Sequence, residues 1–435
     1  MQLAARLAET ISHMPQDKLI DVIVTLRVLE QDLIKELLWL PAVSIRHVVR
    51  MANAVAISIP AGAIEELAHE PWVERIEEDE LVYAVLDESG VLIGTPYARE
   101  NGLSGRGVKI AVLDTGIDMA HPDFAERIVA ERDFTLEGFK DNGHGSLVAG
   151  VAAGSGFRSS GMYKGVAPEA LIIAGKVLKA DGIGRMSNCM AAIEWAYELG
   201  ADIINLSLGT MSPSAGSDAL SLMCDIAVDK GIVVCVAAGN DGPNRRTVGS
   251  PGAARRALTV GVATTTRLVA EFSSRGPTLD DRLKPELVAP GVDIVSVRAK
   301  GTKAGKPVDT YYTSATGSSM ATPHVSGLVA LLLQAKPIST PQLIREALLH
   351  TADDLELDDY AQGAGLVDVE AALRYMELHE NPPEPIDQSP PRSALLGMVA
   401  GLFDPSMRKK RGRDRPRKPR PVAPEPKSFE EELGL

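Results

Sequence analysis

Cysteine and aromatic residues are scarce in this chain: 435 residues include three cysteines and only 4% aromatic side chains. Three cysteines cannot all form disulfide pairs, and each lies in an apolar segment, so we predict that Cys189, Cys224 and Cys235 are small buried side chains. The low aromatic content argues against a surface that stacks nucleobases.

Long apolar runs are also missing. No stretch reaches the roughly 18 residues needed to span a bilayer, and the first residues lack the basic start and apolar run of a secretory signal. We therefore expect a cytoplasmic protein. The formal net charge is −13 although residues 408–420 are strongly basic, and so acidic a body is a poor partner for nucleic acid.

The length and local patterns predict four regions. Residues 1–18 form an N-terminal extension, and residues 19–90 carry a β-α-β-β-α-β pattern that is typical of a small α+β, ferredoxin-like domain. Residues 91–376 form the main domain, and residues 377–435 are a disordered Pro-rich and basic tail. Within that tail, residues 394–420 join an apolar patch to a basic run, which predicts weak contact with a membrane surface unless the segment is simply solvated.

The main domain alternates apolar strands with helices. Runs such as V-K-I-A-V-L-D, I-I-N-L-S-L and I-V-V-C-V-A-A are separated by helical segments such as M-A-A-I-E-W-A-Y-E-L-G. This pattern predicts an α/β fold with a mostly parallel sheet and helices on both faces. In such folds, reactive groups gather at the carboxyl ends of the strands.

Three segments of this domain carry candidate chemistry. Asp114 ends a strand, His144 lies in the first turn of a helix opened by Asp141 and Asn142, and Ser319 stands at a helix start in G-S-S-M-A-T-P-H-V-S-G. Each residue alone has an ordinary structural interpretation: a turn carboxylate, a packed histidine and a helix-capping serine. Their occurrence together, in this order, favours nucleophilic catalysis.

These segments, together with V-A-A-G-N-D-G, resemble the signature segments of the subtilisin-like serine proteases. The resemblance covers about residues 93–376 and is closest to the intracellular bacterial branch. It implies a serine endopeptidase that requires no cofactor, with Ser319 as nucleophile, His144 as general base and then acid, and Asp114 as the group that orients the imidazole. It also implies that the Asn240 side chain donates to the oxyanion.

The same resemblance implies a cleft that binds protein or peptide substrates. Its small walls leave room for a large apolar side chain, while Asp241 near the rim would also tolerate a basic one. The implied wall residues are Ser207, Leu208, Gly209, Ala237, Ala238 and Gly239.

The small domain resembles the propeptide of this family, which assists folding and inhibits the enzyme by placing its C-terminal end in the cleft. The resemblance implies an autoprocessed zymogen cleaved between about residues 83 and 93; an accessory domain without this role is the alternative. Calcium is common in the family, but the loop at residues 154–165 has no carboxylate, so we expect no calcium site there. Metal sites elsewhere stay open.

The sequence departs from the family pattern at three positions. Ser146 and Ser318 stand where threonine is usual, and Leu147 stands where histidine is common. These changes motivate a second hypothesis, a pseudoprotease that binds peptides without cutting them. A third, an α/β-hydrolase, would require an acid and a histidine after the serine, for which Asp368 and His379 could serve. It would leave Asp114 and His144 unexplained.

Overall fold

The N-terminal part of the protein is a four-stranded antiparallel sheet of order β2-β3-β1-β4. The structure is a computed structural model that describes residues 3–40, 42–79, 81–84, 92–138 and 141–381. The predicted β-α-β-β-α-β order is confirmed. The elements are α1 Ala5–Ser12, β1 Leu19–Leu26, α2 Gln31–Trp39, β2 Ser44–Val49, β3 Ala54–Pro60, α3 Ile64–Leu67, β4 Val73–Glu78 and β5 Leu81–Ala84.

The N-terminal extension predicted for residues 1–18 packs onto this small sheet. The Ala4 N–H donates to the Ile76 carbonyl at 2.9 Å, which places the segment beside the edge strand β4. Leu7 and Ile11 of α1 are buried. Because α1 covers an edge that would otherwise offer unpaired backbone groups, the described part of the extension belongs to the small domain.

The main domain is built on a seven-stranded sheet of order β14-β13-β12-β10-β6-β8-β7, and all its paired strands are parallel. The predicted α/β class is confirmed. The elements are α4 Thr95–Glu100, β6 Lys109–Asp114, β7 Ile128–Asp133, α5 His144–Ala153, β8 Leu171–Lys176, β9 Ile183–Arg185, α6 Met186–Glu198, β10 Ile203–Leu206, β11 Leu208–Gly209, α7 Ala219–Asp229, β12 Val233–Ala237, β13 Leu258–Ala263, β14 Leu287–Pro290, β15 Ile294–Val297, β16 Lys306–Pro307, β17 Tyr312–Ala315, α8 Ser318–Ala335, α9 Pro341–His350, α10 Asp359–Gln362 and α11 Val369–Leu378.

Both faces of the large sheet are covered, which is why its strands are apolar at nearly every position. On β6, Ile110 and Val112 pack with α5 and α8, whereas Ala111 and Leu113 face α6 and α7. The two core layers therefore draw on alternate residues of the same strands. Residues from the small sheet, Ile23 among them, pack into the α6 and α7 layer.

Cys189, Cys224 and Cys235 are unpaired and buried, which confirms their prediction as core residues. Burial raises the pKa of the Cys235 thiol to about 12, so it stays protonated and unreactive. Across the described part of the chain, every helix is too short or too polar to cross a membrane. Residues 394–420 lie outside the described residues, and both the predicted membrane contact and the predicted cytoplasmic location stay predictions.

Candidate active site

The carboxyl end of β6 brings Asp114 against the helix that carries His144. The Asp114 Oδ1 atom lies 2.7 Å from His144 Nδ1, and both side chains are buried. Asp114 Oδ1 also accepts the Thr115 N–H at 2.7 Å. A carboxylate in this position fixes which imidazole nitrogen holds the proton and stabilises the imidazolium cation.

The close approach of α5 to β6 depends on glycine. A Cβ added to Gly145 would lie 2.1 Å from the Gly116 carbonyl oxygen, and the Gly145 N–H donates to Thr115 Oγ1 at 2.9 Å. Any larger residue at position 145 would therefore push the helix away from the strand end. The sequence G-H-G is thus required for the contact between His144 and Asp114.

Helix α8 carries Ser319 in its first turn. Gly317, two residues earlier, caps the helix with a φ of 152°, a backbone conformation that favours glycine. Pro323 lies in the same helix and has no N–H to donate to the Ser319 carbonyl four residues earlier. The Ser207 hydroxyl supplies that bond instead, donating to the Ser319 carbonyl at 2.9 Å.

The Ser207 hydroxyl also accepts a hydrogen bond, as part of a longer buried chain. Asn205 Nδ2 donates to Ser207 Oγ at 3.0 Å, and Ser326 Oγ donates to Asn205 Oδ1 at 2.9 Å. These contacts form a buried chain from α8 through β10 back to the backbone of Ser319. Ser326 therefore has a specific buried partner in Asn205, and no local sequence pattern marks either residue.

Asn240 follows β12 and faces the start of α8. Its Oδ1 accepts the Ser318 N–H at 2.9 Å, and the Gly239 N–H donates to Ser318 Oγ at 3.2 Å. The Asn240 Nδ2 group is buried and has no hydrogen-bond partner within the described protein. A buried amide donor without an acceptor is unfavourable in the resting protein and is available to a substrate oxygen.

The predicted cleft walls run along β11 and the end of β12. Ser207, Leu208 and Gly209 lie in and just before β11, and Ala237, Ala238 and Gly239 lie at the end of β12, where the Ala238 N–H donates to the Val260 carbonyl at 3.0 Å. The backbone of β5, from the small domain, pairs antiparallel with β11 on one side and with β9 on the other. β9 and β11 thus hold one extended segment by backbone hydrogen bonds, and the assignment of these residues as substrate walls stays a prediction.

Ser146 and Ser318, which stand where the family usually has threonine, both form hydrogen bonds through their hydroxyls. Ser146 Oγ donates to Asp141 Oδ2 at 2.6 Å and accepts the Asp118 N–H at 2.7 Å. Ser318 Oγ accepts the Gly239 N–H, as described above. A threonine would offer the same oxygen, so neither substitution removes a polar contact.

The α/β-hydrolase alternative is wrong. Asp368 caps α11, accepting the Ala371 N–H at 2.9 Å, and the His379 ring stacks on Tyr375 with ring centroids 3.8 Å apart. His324, the histidine nearest to Ser319 in sequence, bonds through Nδ1 to the Met320 carbonyl at 2.8 Å, as expected of a packing residue. Burial lowers its pKa to about 4.

The loop at residues 154–165 does not fit a calcium ion. It has no carboxylate, and the Lys164 ammonium folds back to within 3.6 Å of where a Cβ on Gly161 would lie. Elsewhere in the described ranges, no cluster of three or more His, Cys, Asp or Glu side chains is placed to hold a metal.

A buried carboxylate and imidazole pair lies at the rim of a parallel α/β sheet, and α8, which begins with Ser318 and Ser319, packs against the helix that carries the imidazole. This combination is typical of hydrolases of the serine type. The subtilase family model matches residues 105–365, and the chain belongs to that family. It is 36% identical to serine protease AprX of Bacillus subtilis (strain 168) over 350 residues, which cover 74% of this chain and 79% of the relative.

Two further relatives give the same result. Subtilisin E of Bacillus subtilis (strain 168) is 37% identical over 335 residues, covering 75% of this chain and 82% of the relative. M-protease of Shouchella clausii (strain KSM-K16) is 36% identical over 339 residues, covering 76% and 82%. The chain is a serine-type endopeptidase of subtilisin-like fold.

Proposed function

We propose that the chain hydrolyses peptide bonds through Asp114, His144 and Ser319, and that it is made as a zymogen inhibited by its own small domain. The pairing of Asp114 with His144 at 2.7 Å, on the sheet edge that also receives Ser319, supports the first part. The insertion of β5 between β9 and β11 supports the second.

In the proposed reaction, Ser319 Oγ attacks the substrate carbonyl while His144 Nε2 takes its proton. Asp114 holds the proton on Nδ1 and stabilises the imidazolium, which then protonates the leaving amine. The unpaired Asn240 Nδ2 and the Ser319 N–H donate to the oxygen of the tetrahedral intermediate. Water then hydrolyses the acyl-enzyme by the reverse sequence of proton transfers.

The contact between the small domain and α6 supports an inhibitory role for that domain. Glu194 of α6 accepts the Met51 N–H at 2.5 Å, and Asp79 accepts the Ser187 N–H in the first turn of α6 at 2.8 Å. Burial raises the pKa of Glu194 to about 7. These two carboxylates accept backbone N–H groups across the contact, as is typical of a specific interface.

The pairing of β5 supports cleavage soon after this strand. Ala84 pairs with Leu208, one residue from Ser207, whose hydroxyl donates to the Ser319 carbonyl. We therefore expect cleavage within the predicted interval of about residues 83 to 93, most of which lies outside the described residues.

The test is mass spectrometry of purified wild type and Ser319→Ala, before and after incubation, with casein hydrolysis and fluorophosphonate labelling in parallel. We expect wild type to give a shorter product that begins between about residues 84 and 93 and the variant to stay full length. Wild type that cleaves casein while remaining intact would refute the zymogen but not the protease. Unlabelled Ser319 with intact casein would instead support the peptide-binding pseudoprotease.

A further inference from the structure

A second carboxylate lies behind the Asp114 and His144 pair. Asp141 accepts three hydrogen bonds. Thr115 Oγ1 and the Gly143 N–H donate to Oδ1, each at 2.8 Å, and Ser146 Oγ donates to Oδ2 at 2.6 Å.

Each of the three donors is a neighbour of a proposed catalytic residue. Thr115 follows Asp114 in the chain, and its hydroxyl also accepts the Gly145 N–H at 2.9 Å. Gly143 directly precedes His144, and Ser146 lies in the first turn of the same helix. Asp141 is thus bonded both to the strand end that carries the acid and to the helix start that carries the base.

Burial and, to a smaller extent, the nearby Asp114 charge raise the pKa of Asp141, whereas the three hydrogen bonds that it accepts oppose this shift. The buried Lys176 ammonium donates to the Thr115 carbonyl at 2.8 Å and to the Leu178 carbonyl at 2.9 Å, so a positive charge lies beneath the same turn. An ionised carboxylate accepts hydrogen bonds without donating, which matches three donors directed at two oxygens. An amide or an apolar side chain at position 141 would leave at least one donor without a good acceptor.

We propose that Asp141 is a positioning residue, which fixes the His144 imidazole against Asp114 through Thr115, Gly143 and Ser146. This role of Asp141 accounts for the hydroxyl at position 146, because either serine or threonine presents an oxygen that can donate to Asp141. The proposal rests on the proposed catalytic roles of Asp114 and His144.

The test compares Asp141→Ala with Asp123→Ala as a matched control. Asp123 is also buried and accepts three hydrogen bonds, from the Gly156 and Arg158 N–H groups and from the Tyr312 hydroxyl. Steady-state rates on a peptide substrate are divided by the active-site concentration from fluorophosphonate titration, so that misfolded protein is not counted. Both variants are expected to lower the melting temperature.

We expect Asp141→Ala to lower kcat per active site about tenfold or more with KM within about twofold of wild type, because ill-positioned catalytic groups affect the transition state alone. Asp123→Ala should leave both constants near the wild-type values. Equal kcat per active site in Asp141→Ala and wild type would overturn the proposal.

Ser146 variants test the same network if Asp141→Ala does not fold. Ser146→Ala should lower kcat per active site, and Ser146→Thr should restore it, because only the hydroxyl is required. Equal rates in both Ser146 variants would also overturn the proposal. A wild type that neither labels nor cleaves would contradict the proposed function itself, which makes the two failures distinguishable.

Discussion

Replacing Asn240 tests the proposed oxyanion site most directly, because its two side-chain atoms have separable roles. Oδ1 accepts the Ser318 N–H at 2.9 Å, whereas the buried Nδ2 has no partner in the described protein. Asn240→Ala removes both functions. Asn240→Asp keeps an acceptor for Ser318 and replaces the donor with a second oxygen.

The expected magnitude follows from one hydrogen bond to a charged oxygen. Such a bond contributes about 1.5 to 3 kcal/mol, and each 1.36 kcal/mol is about tenfold in rate, so Asn240→Ala should lower kcat about 10- to 150-fold. KM should change little, because the oxyanion exists only near the transition state. Asn240→Asp should lose at least as much, since it places negative charge beside the developing oxyanion.

Stability separates this effect from unfolding. Asn240→Ala removes one unsatisfied donor, Nδ2, but leaves the Ser318 N–H without its acceptor, so the two changes oppose each other. We expect similar melting temperatures with and without Asn240→Ala, measured in a Ser319→Ala background so that neither protein digests itself. Rates are measured on a peptide substrate per titrated active site. A kcat within twofold of wild type in both variants would refute the oxyanion assignment.

Three further predictions concern buried contacts. Burial lowers the pKa of His324 from 6.5 to about 4. The free energy of unfolding should therefore fall by about 3 kcal/mol as the pH falls from 6.5 toward 4, because the folded state resists protonation of this imidazole. His324→Gln should reduce this loss in thermal unfolding. Gly145→Ala should abolish fluorophosphonate labelling, because its Cβ would meet the Gly116 carbonyl oxygen at 2.1 Å. Asp79→Ala removes the acceptor for both the N–H and the hydroxyl of Ser187 and the ion-pair partner of Arg46, should weaken the small-domain contact by about 2 kcal/mol, and should speed the appearance of activity after purification.

Each of these has a control or a contrary result. The thermal unfolding of the His324→Gln variant is compared with its parent in a Ser319→Ala background. If both proteins lose stability equally as pH falls, His324 is not the cause of that loss. Gly94→Ala is the matched glycine control, because nothing lies within 4 Å of an added Cβ there. Activity that appears no faster in Asp79→Ala would show that the α6 contact does not limit release of the small domain.

The sequence predicted the elements of this protein well because their signals are local. Strand and helix periodicities gave the order of the small domain and the parallel sheet of the large one, and both are confirmed. Asp114 and His144 were grouped through the resemblance to the subtilisin-like proteases, and their side chains lie 2.7 Å apart. These inferences need only a few consecutive residues at a time.

The supporting contacts were not predictable in this way. Ser326 and Asn205 are 121 residues apart, and no local pattern marks either as a partner of the other. Asp141 was interpreted only as a helix-start signal, although its carboxylate reaches Thr115, 26 residues away. Side-chain hydrogen bonds of this kind depend on how helices and strands pack, which a single sequence does not specify.

The sequence by itself determined which chemical groups are present, their order along the chain, and the fold class that brings strand ends together. Only the tertiary structure decided that Ser207 supplies the hydrogen bond that Pro323 cannot give to Ser319, and that β5 lies between β9 and β11. The reason is geometric. Periodicity and residue type fix local conformation, whereas distances between residues far apart in the chain are set by packing of the whole core.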